Sequence, residues 1–205
     1  YFRARRKRVL LQLPTGGGKT IGAAFMLKGA TDKGLRSWFM VHRRELIKQA
    51  HAAFIDAGVA HGIIAAGFDS HGSLPVQIVS VQTLGRRLKR YAPPDLIVWD
   101  EAHHVAARTY RTIREWANEA RHVGLSATPA RMDGKGLDAY FQHIVLGPSV
   151  NELITGGFLS RYKAFAPHTP NLAGVKTQAG DYASNQLNDV MDTGQIIGDM
   201  VKHYR

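Results

Sequence analysis

The chain has 205 residues, and its 27 Lys and Arg against 16 Asp and Glu leave a formal net charge of +11. That length suits one full domain with a small appendage, able to bury ~70% of the surface its unfolded form exposes without staple or cofactor. The absence of cysteine removes disulfides and thiolate metal sites and fits a reducing compartment, with the cytoplasm expected; no apolar run approaches the ~18 to 20 residues of a membrane span, and the positive excess calls for a polyanionic partner.

A basic head (Arg3, Arg5, Arg6, Lys7, Arg8) leads into an apolar run that predicts a strand at 9–13. Pro14-Thr15-Gly16-Gly17-Gly18-Lys19-Thr20 follows, and a helical pattern is predicted over 19–30. Consecutive glycines let the backbone fold tightly and turn several N–H groups toward one point, where the helix dipole also favours an anion. Lys19 supplies a mobile positive charge for the β- and γ-phosphates of a nucleotide, and the Thr20 hydroxyl is a hard ligand suited to Mg²⁺. Thr15, Gly16, Gly17, Gly18, Lys19 and Thr20 are therefore the candidate nucleotide-binding residues. Leu13 stands where glycine commonly opens this motif, which marks a compact subtype.

Further strands are predicted at 37–42, 76–80, 95–100 and 121–126, with a weaker one at 62–66, and helices at 43–57, 81–90 and 109–120. Buried apolar strands alternating with amphipathic helices predict an α/β fold, a doubly wound parallel sheet with helices on both faces. Leu46, Ile47, Ala50, Ala53 and Phe54 keep helical spacing with Gly58 as the stop, and Ile113, Trp116 and Ala117 form a second stripe; core packing accounts for both.

The strand at 95–100 ends in Asp100-Glu101. If it lies beside the strand carrying the glycine loop, both ends open on one edge of a parallel sheet, where ligands of open α/β folds collect. Asp100 would then meet magnesium through water, and Glu101 would orient or deprotonate an attacking water. Glu101, Lys19 and Asp100 are the candidate catalytic residues.

Past residue 145 a short helix is predicted at 148–157, a strand at 162–166, an ordered loop or hinge at 167–180 and two helices near 182–191 and 195–204. Neither end reads as a natural boundary, so the chain is expected to be a piece of a longer protein. Domain limits are expected at 1–165, with 166–205 leading onward.

With Pro-Thr-Gly-Gly-Gly-Lys-Thr at 14–20, Asp-Glu-Ala-His at 100–103 and Ser-Ala-Thr-Pro at 126–129, the chain resembles the first RecA-like P-loop NTPase domain of superfamily 2 helicases. It looks most like the DEAH-box members of phages and of restriction-enzyme translocating subunits. The resemblance implies ATP and Mg²⁺ as cofactors, DNA rather than RNA as partner, and a second RecA-like domain in cis. Residues 41–49 look like the family's motif Ia, implying a backbone contact for Arg44; residues 80–84 resemble motif Ib, implying phosphate contacts for Gln82 and Thr83. His103, Ser126 and Thr128 are implied to link the γ-phosphate to the nucleic-acid groove, while Arg131 is left open between nucleic acid and plain surface.

His103 and His104 are adjacent and expected to diverge, and no other histidine spacing suits zinc, so magnesium is the only metal expected. The resemblance implies a helicase or translocase motor whose first domain binds Mg-ATP and nucleic acid but does not unwind alone. The alternatives weighed are a non-catalytic nucleic-acid-binding or assembly module holding ATP structurally, and a small-molecule phosphotransferase.

Overall fold

In the computed structural model, residues 6–68, 72–128, 136–162, 177–178 and 181–182 are described. The chain divides into two units, 1–160 and 161–205. In the first, seven strands form one sheet: β1 (Arg8–Gln12), β2 (Ser37–Val41), β3 (Gly62–Ile64), β4 (Val76–Ser80), β5 (Leu96–Trp99), β6 (Arg121–Ser126) and β7 (His143–Leu146). Their order is β3-β4-β2-β5-β6-β1-β7, with every pairing parallel. All residues of β2, β4 and β5 are buried, because a parallel strand covered on both faces needs an unbroken rather than an alternating apolar run.

The helices are α1 (Lys19–Thr31), α2 (Arg44–Asp56), α3 (Val81–Arg87), α4 (Arg108–Trp116) and α5 (Val150–Thr155). Ala23, Ala24 and Leu27 of α1 and Ile47, Ala50 and Phe54 of α2 pack with Phe39, Ile78, Val98 and Val123 on one face of the sheet. Leu84 of α3 and Tyr110 and Ile113 of α4 pack with Leu10, Met40, Ile97 and Trp99 on the other. The expected two-faced parallel sheet is the architecture present.

Element ends follow local chemistry. Past α2, Gly58 at φ 65° and Val59 send their N–H groups back to Ile55 O and Phe54 O at 2.9 and 2.8 Å, a left-handed stop that glycine adopts without Cβ strain. The predicted helix at 109–120 ends early, at Trp116, since Ala117 O is taken by the Ala120 N–H and by His122 Nε2, both at 3.1 Å. The predicted helix at 81–90 becomes α3 followed by a 3-10 turn, Leu88–Arg90. Ser149 and Glu152 form a reciprocal capping box on α5, within the short helix expected there.

Three expectations are corrected. The strand bearing Asp100 does not lie beside β1: β6 stands between them, although all three open on the same edge. An edge strand, β7, occupies 143–146, where none was predicted. In the second unit, Thr177–Gln178 (β8) and Asp181–Tyr182 (β9) pair antiparallel where a loop was expected, and Tyr182 is a strand rather than a helix residue. Tyr162 lies in no strand. The remainder of the strand at 162–166, the rest of both terminal helices, and Arg3, Arg5 and Arg131 fall outside the described residues. No helix among the described residues is long and apolar enough to cross a membrane.

Candidate active site at the carboxyl edge of the sheet

The glycine loop leaves β1 with the Leu13 N–H bonded to Ser126 O at 3.0 Å, so its root is fixed to the end of β6. Leu13 packs against Gly147, just past β7, which gives the side chain a place that glycine at position 13 would leave empty. Gly17 closes a turn onto Pro14 O at 3.0 Å, and a Cβ there would stand 2.9 Å from that same oxygen. Gly16 and Gly18 have φ values of 76° and 77°, left-handed positions that exclude most side chains without strain.

Gly18 caps α1 without a side chain, and the first turn of this 13-residue helix carries no acidic residue. Its leading N–H groups thus have no side-chain acceptor, at the end of the helix where the dipole attracts an anion. Lys19 opens the helix with Nζ 3.4 Å from both Leu13 O and Pro14 O, long contacts that a phosphate oxygen would outbid. Thr20 is half-buried beside it. A glycine cradle, an uncapped helix start, a poised ammonium and a hydroxyl are a donor set that fits a magnesium-bound triphosphate.

Asp100 extends β5 by one bond, its N–H reaching Met40 O at 2.9 Å, and is 8% exposed. Burial first, and then the Glu101 charge, push its carboxyl up to about 6, opposed by a hydrogen bond from the Glu101 backbone and by the charges of Lys19 and His103. A buried carboxylate whose charge is disfavoured by desolvation is suited to a cation that would stabilise that charge.

Glu101 has φ 48° and ψ 56°, the left-handed region in a residue with a Cβ, and no other described non-glycine residue has positive φ. Such strain persists where surrounding structure imposes it and gathers at functional sites. The turn directs the chain into a 3-10 segment, Ala102–Ala106. Glu101 Oε2 lies 3.3 Å from His103 Nδ1, within ion-pair distance but without hydrogen-bond alignment. Tyr110 sits beneath, buried, its phenol pushed upward by burial and by Asp100 and Glu101.

Ser126 is fully buried; its Oγ donates to Thr128 O at 2.5 Å and accepts from the Thr128 N–H at 3.2 Å, a closed local turn. Thr128 itself is exposed. At the neighbouring helix starts, Arg44 opens α2 with its guanidinium 5.6 Å above the Phe68 ring. Gln82 is exposed and donates from Nε2 to His42 O at 2.7 Å. Thr83 is buried, its Oγ1 accepting from the Ala66 N–H at 3.2 Å, and Ser80 rather than either residue caps α3. The edge thus gathers the loop, the acid pair, Ser126 and Gln82, while the Thr83 hydroxyl is engaged within the fold.

Sequence reasoning missed several supporting groups. His103 and His104 do not diverge: their ring centroids are 4.2 Å apart, and the His42 ring centroid lies 4.6 Å from that of His104. Phe68 under Arg44 and Tyr110 under the acid pair were also missed. Their only sequence signal is the residue type, since spacing says nothing about which loops meet.

The parallel sheet with these motifs along one edge defines a RecA-like domain of superfamily 2 helicases. Within that class, residues 1–131 match the family described as Type III restriction enzyme, res subunit, and the chain belongs to that family. A 51.5 kDa protein of a Lactococcus phage is 32% identical over 95% of this chain, and the DNA 3'-5' translocase XPB2 of Sulfurisphaera tokodaii is 32% identical over 78% of it. The chain spans 40% and 36% of the length of these two relatives. In fold it is similar to the UvsW helicase of bacteriophage T4, with a TM-score of 0.60 and 21% identity over 69% of this chain and 55% of that one.

Proposed function

We propose that the chain is the nucleotide-binding half of an ATP-driven motor that moves on DNA. The reading rests on one observation above the others: the glycine loop follows β1 and the acid pair follows β5 on the same edge of the sheet, with only β6 between them, an arrangement in which both can serve one ligand. Gly16, Gly17, Gly18 and Thr15 would line the phosphates, Lys19 would neutralise them, and Thr20 with Asp100, through water, would hold Mg²⁺. The metal supplies charge neutralisation on the phosphate oxygens.

Glu101 orients the attacking water and takes its proton, the left-handed turn keeping the carboxylate at the mouth of the site. His103 beside Glu101, and the Ser126–Thr128 turn, sense whether phosphate is present by exchanging their present partners for it. Arg44 and Gln82 contact the DNA backbone, with Thr83 holding the Ala66 loop behind them. Residues 1–165 form the first motor domain and 166–205 lead toward a second RecA-like domain, whose arginines complete the site.

An arginine supplied by that partner domain is worth ~10³ to 10⁵ in rate, so the 205-residue chain binds Mg-ATP but turns it over slowly and does not unwind. A steady-state ATPase assay with and without DNA tests this, together with Glu101→Gln in the two-domain protein. Retained nucleotide binding with lost turnover is the expected result for Glu101→Gln; full turnover in that variant removes Glu101 from the chemistry, and robust DNA-stimulated turnover by this chain alone refutes the need for a second domain.

A further inference from the structure

His42, His104 and His103 form a cluster of tilted imidazole rings. The His104 ring contacts each of the other two, with centroid separations of 4.6 and 4.2 Å and interplanar angles of 59° and 47°. At one end His103 Nδ1 is 3.3 Å from the Glu101 carboxylate. At the other, His42 directly precedes Arg43 and Arg44, the N-cap and first residue of α2. The His42 carbonyl accepts the 2.7 Å bond from Gln82, whose Oε1 in turn accepts from Ser80 Oγ at 3.2 Å. One chain of contacts therefore runs from the carboxylate assigned to the attacking water to both helix starts assigned to the DNA backbone.

The cluster is suited to two positions. Burial lowers the pKa of His42, with Arg43 adding to the effect, and burial lowers that of His104, with His103 and His42 adding; Glu101 opposes in both. The rings meet at oblique angles rather than face to face. His42 Nδ1 and His103 Nδ1 are buried without hydrogen-bond partners, so two acceptor or donor positions stand unused in this arrangement. Unmet polar atoms at both ends of a packed element favour a second arrangement in which they are satisfied, which is what a coupling element requires.

We propose that His104 is a positioning residue that couples Glu101 to the DNA-binding helix starts through this imidazole cluster, transmitting the state of the nucleotide site to Arg43, Arg44 and Gln82. The inference rests on the roles given above to Glu101 and Arg44. His104 touches neither ligand; removing it should separate the two sites without disabling either.

The test uses the intact protein and compares His104→Ala with His104→Phe, which keeps a flat ring. Three quantities are measured: basal ATP turnover, its stimulation by a DNA oligonucleotide, and DNA affinity with and without a non-hydrolysable Mg-nucleotide. His104→Ala is expected to keep basal turnover within about 2-fold while the stimulation, and the shift in DNA affinity caused by nucleotide, fall at least ~5-fold, the lower range of ordinary coupling. His104→Phe is expected to restore most of both. If the alanine variant keeps full stimulation and full affinity shift, or if phenylalanine rescues nothing although the protein melts as the parent does, the cluster does not couple the sites. A parent protein whose turnover ignores DNA overturns the motor reading itself, and the coupling with it, which separates the two failures.

Discussion

The indole Nε1–H of Trp99 donates to Nδ1 of His122 at 3.0 Å, and His122 Nε2 donates onward to Ala117 O at 3.1 Å. The two rings stack at 5.9 Å with an interplanar angle of 12°. This tie joins the strand end before Asp100 to β6 and to the turn after α4, and it requires a neutral imidazole, because Nδ1 must accept.

That requirement has a pH consequence. Burial, with smaller contributions from Arg114 and Arg8 and against the hydrogen bond to Ala117, lowers the His122 pKa from 6.5 to about 4. The unfolded chain therefore binds the proton first: His122 contributes fully above pH 6.5 and its contribution is lost as pH falls from there to about 4. At ~1.36 kcal/mol per pKa unit the loss amounts to about 3 kcal/mol. Urea melts between pH 7.5 and 4 should show this slope, and His122→Gln should flatten it at the cost of lower stability near pH 7; an unchanged slope would assign it to other groups.

Asp100 works in the opposite sense. Its folded pKa of about 6 exceeds the ordinary 3.8, so the nucleotide-free protein bears a cost that is full above pH 6 and relieved as pH falls through the interval. Asp100→Asn removes that cost and should stabilise the nucleotide-free protein by about 1 to 3 kcal/mol at pH 7.5, with the gain vanishing near pH 4. The same change should weaken Mg-nucleotide binding. Denaturant midpoints at both pH values with nucleotide titrations check the pair; a destabilised variant at pH 7.5 would contradict the burial cost.

The strands that are buried on both faces, and the glycine loop between β1 and α1, were readable because each is written in contiguous residues: Trp38 to Val41 are uniformly apolar, and three glycines precede Lys19-Thr20. What escaped depends on neighbours distant in the chain. β7 carries Ile144 and Leu146 in the open, 42% and 73% exposed, so its pattern matches no half-buried strand. The insertion of β6 between β1 and β5 is a property of topology, which no local spacing encodes. Likewise Gln82 is an exposed polar residue in sequence terms, and only the fold brings its amide to the His42 carbonyl.

Gly124 shows why β6 can occupy that central place. A Cβ at this position would overlap the Phe141 ring and stand 2.8 Å from Ala102 Cβ, both in the core. Gly124→Ala should cost about 1 to 3 kcal/mol, as overpacking does in closed interiors. Combining it with Phe141→Leu should recover part of the loss, since the two changes share one contact. Thermal melts of the single and double variants test this; simple additivity would mean that the ring is not what meets the new methyl.

Arg44 is held rather than free. Its guanidinium lies 5.6 Å over the Phe68 ring and its Nη2 would be 3.1 Å from a Cβ at Gly67, where φ is 76°. A charge fixed on an aromatic face loses less freedom on meeting a phosphate, and phosphate contacts carry no base information. Arg44→Ala should therefore weaken DNA binding nearly equally for all sequences and lower the slope of log affinity against log salt by about 1. Phe68→Ala should weaken binding less and leave that slope unchanged, because it frees the charge without deleting it. Titrations of two unrelated oligonucleotides at several salt concentrations separate these outcomes, and a loss confined to one sequence would make Arg44 a base-reading residue instead.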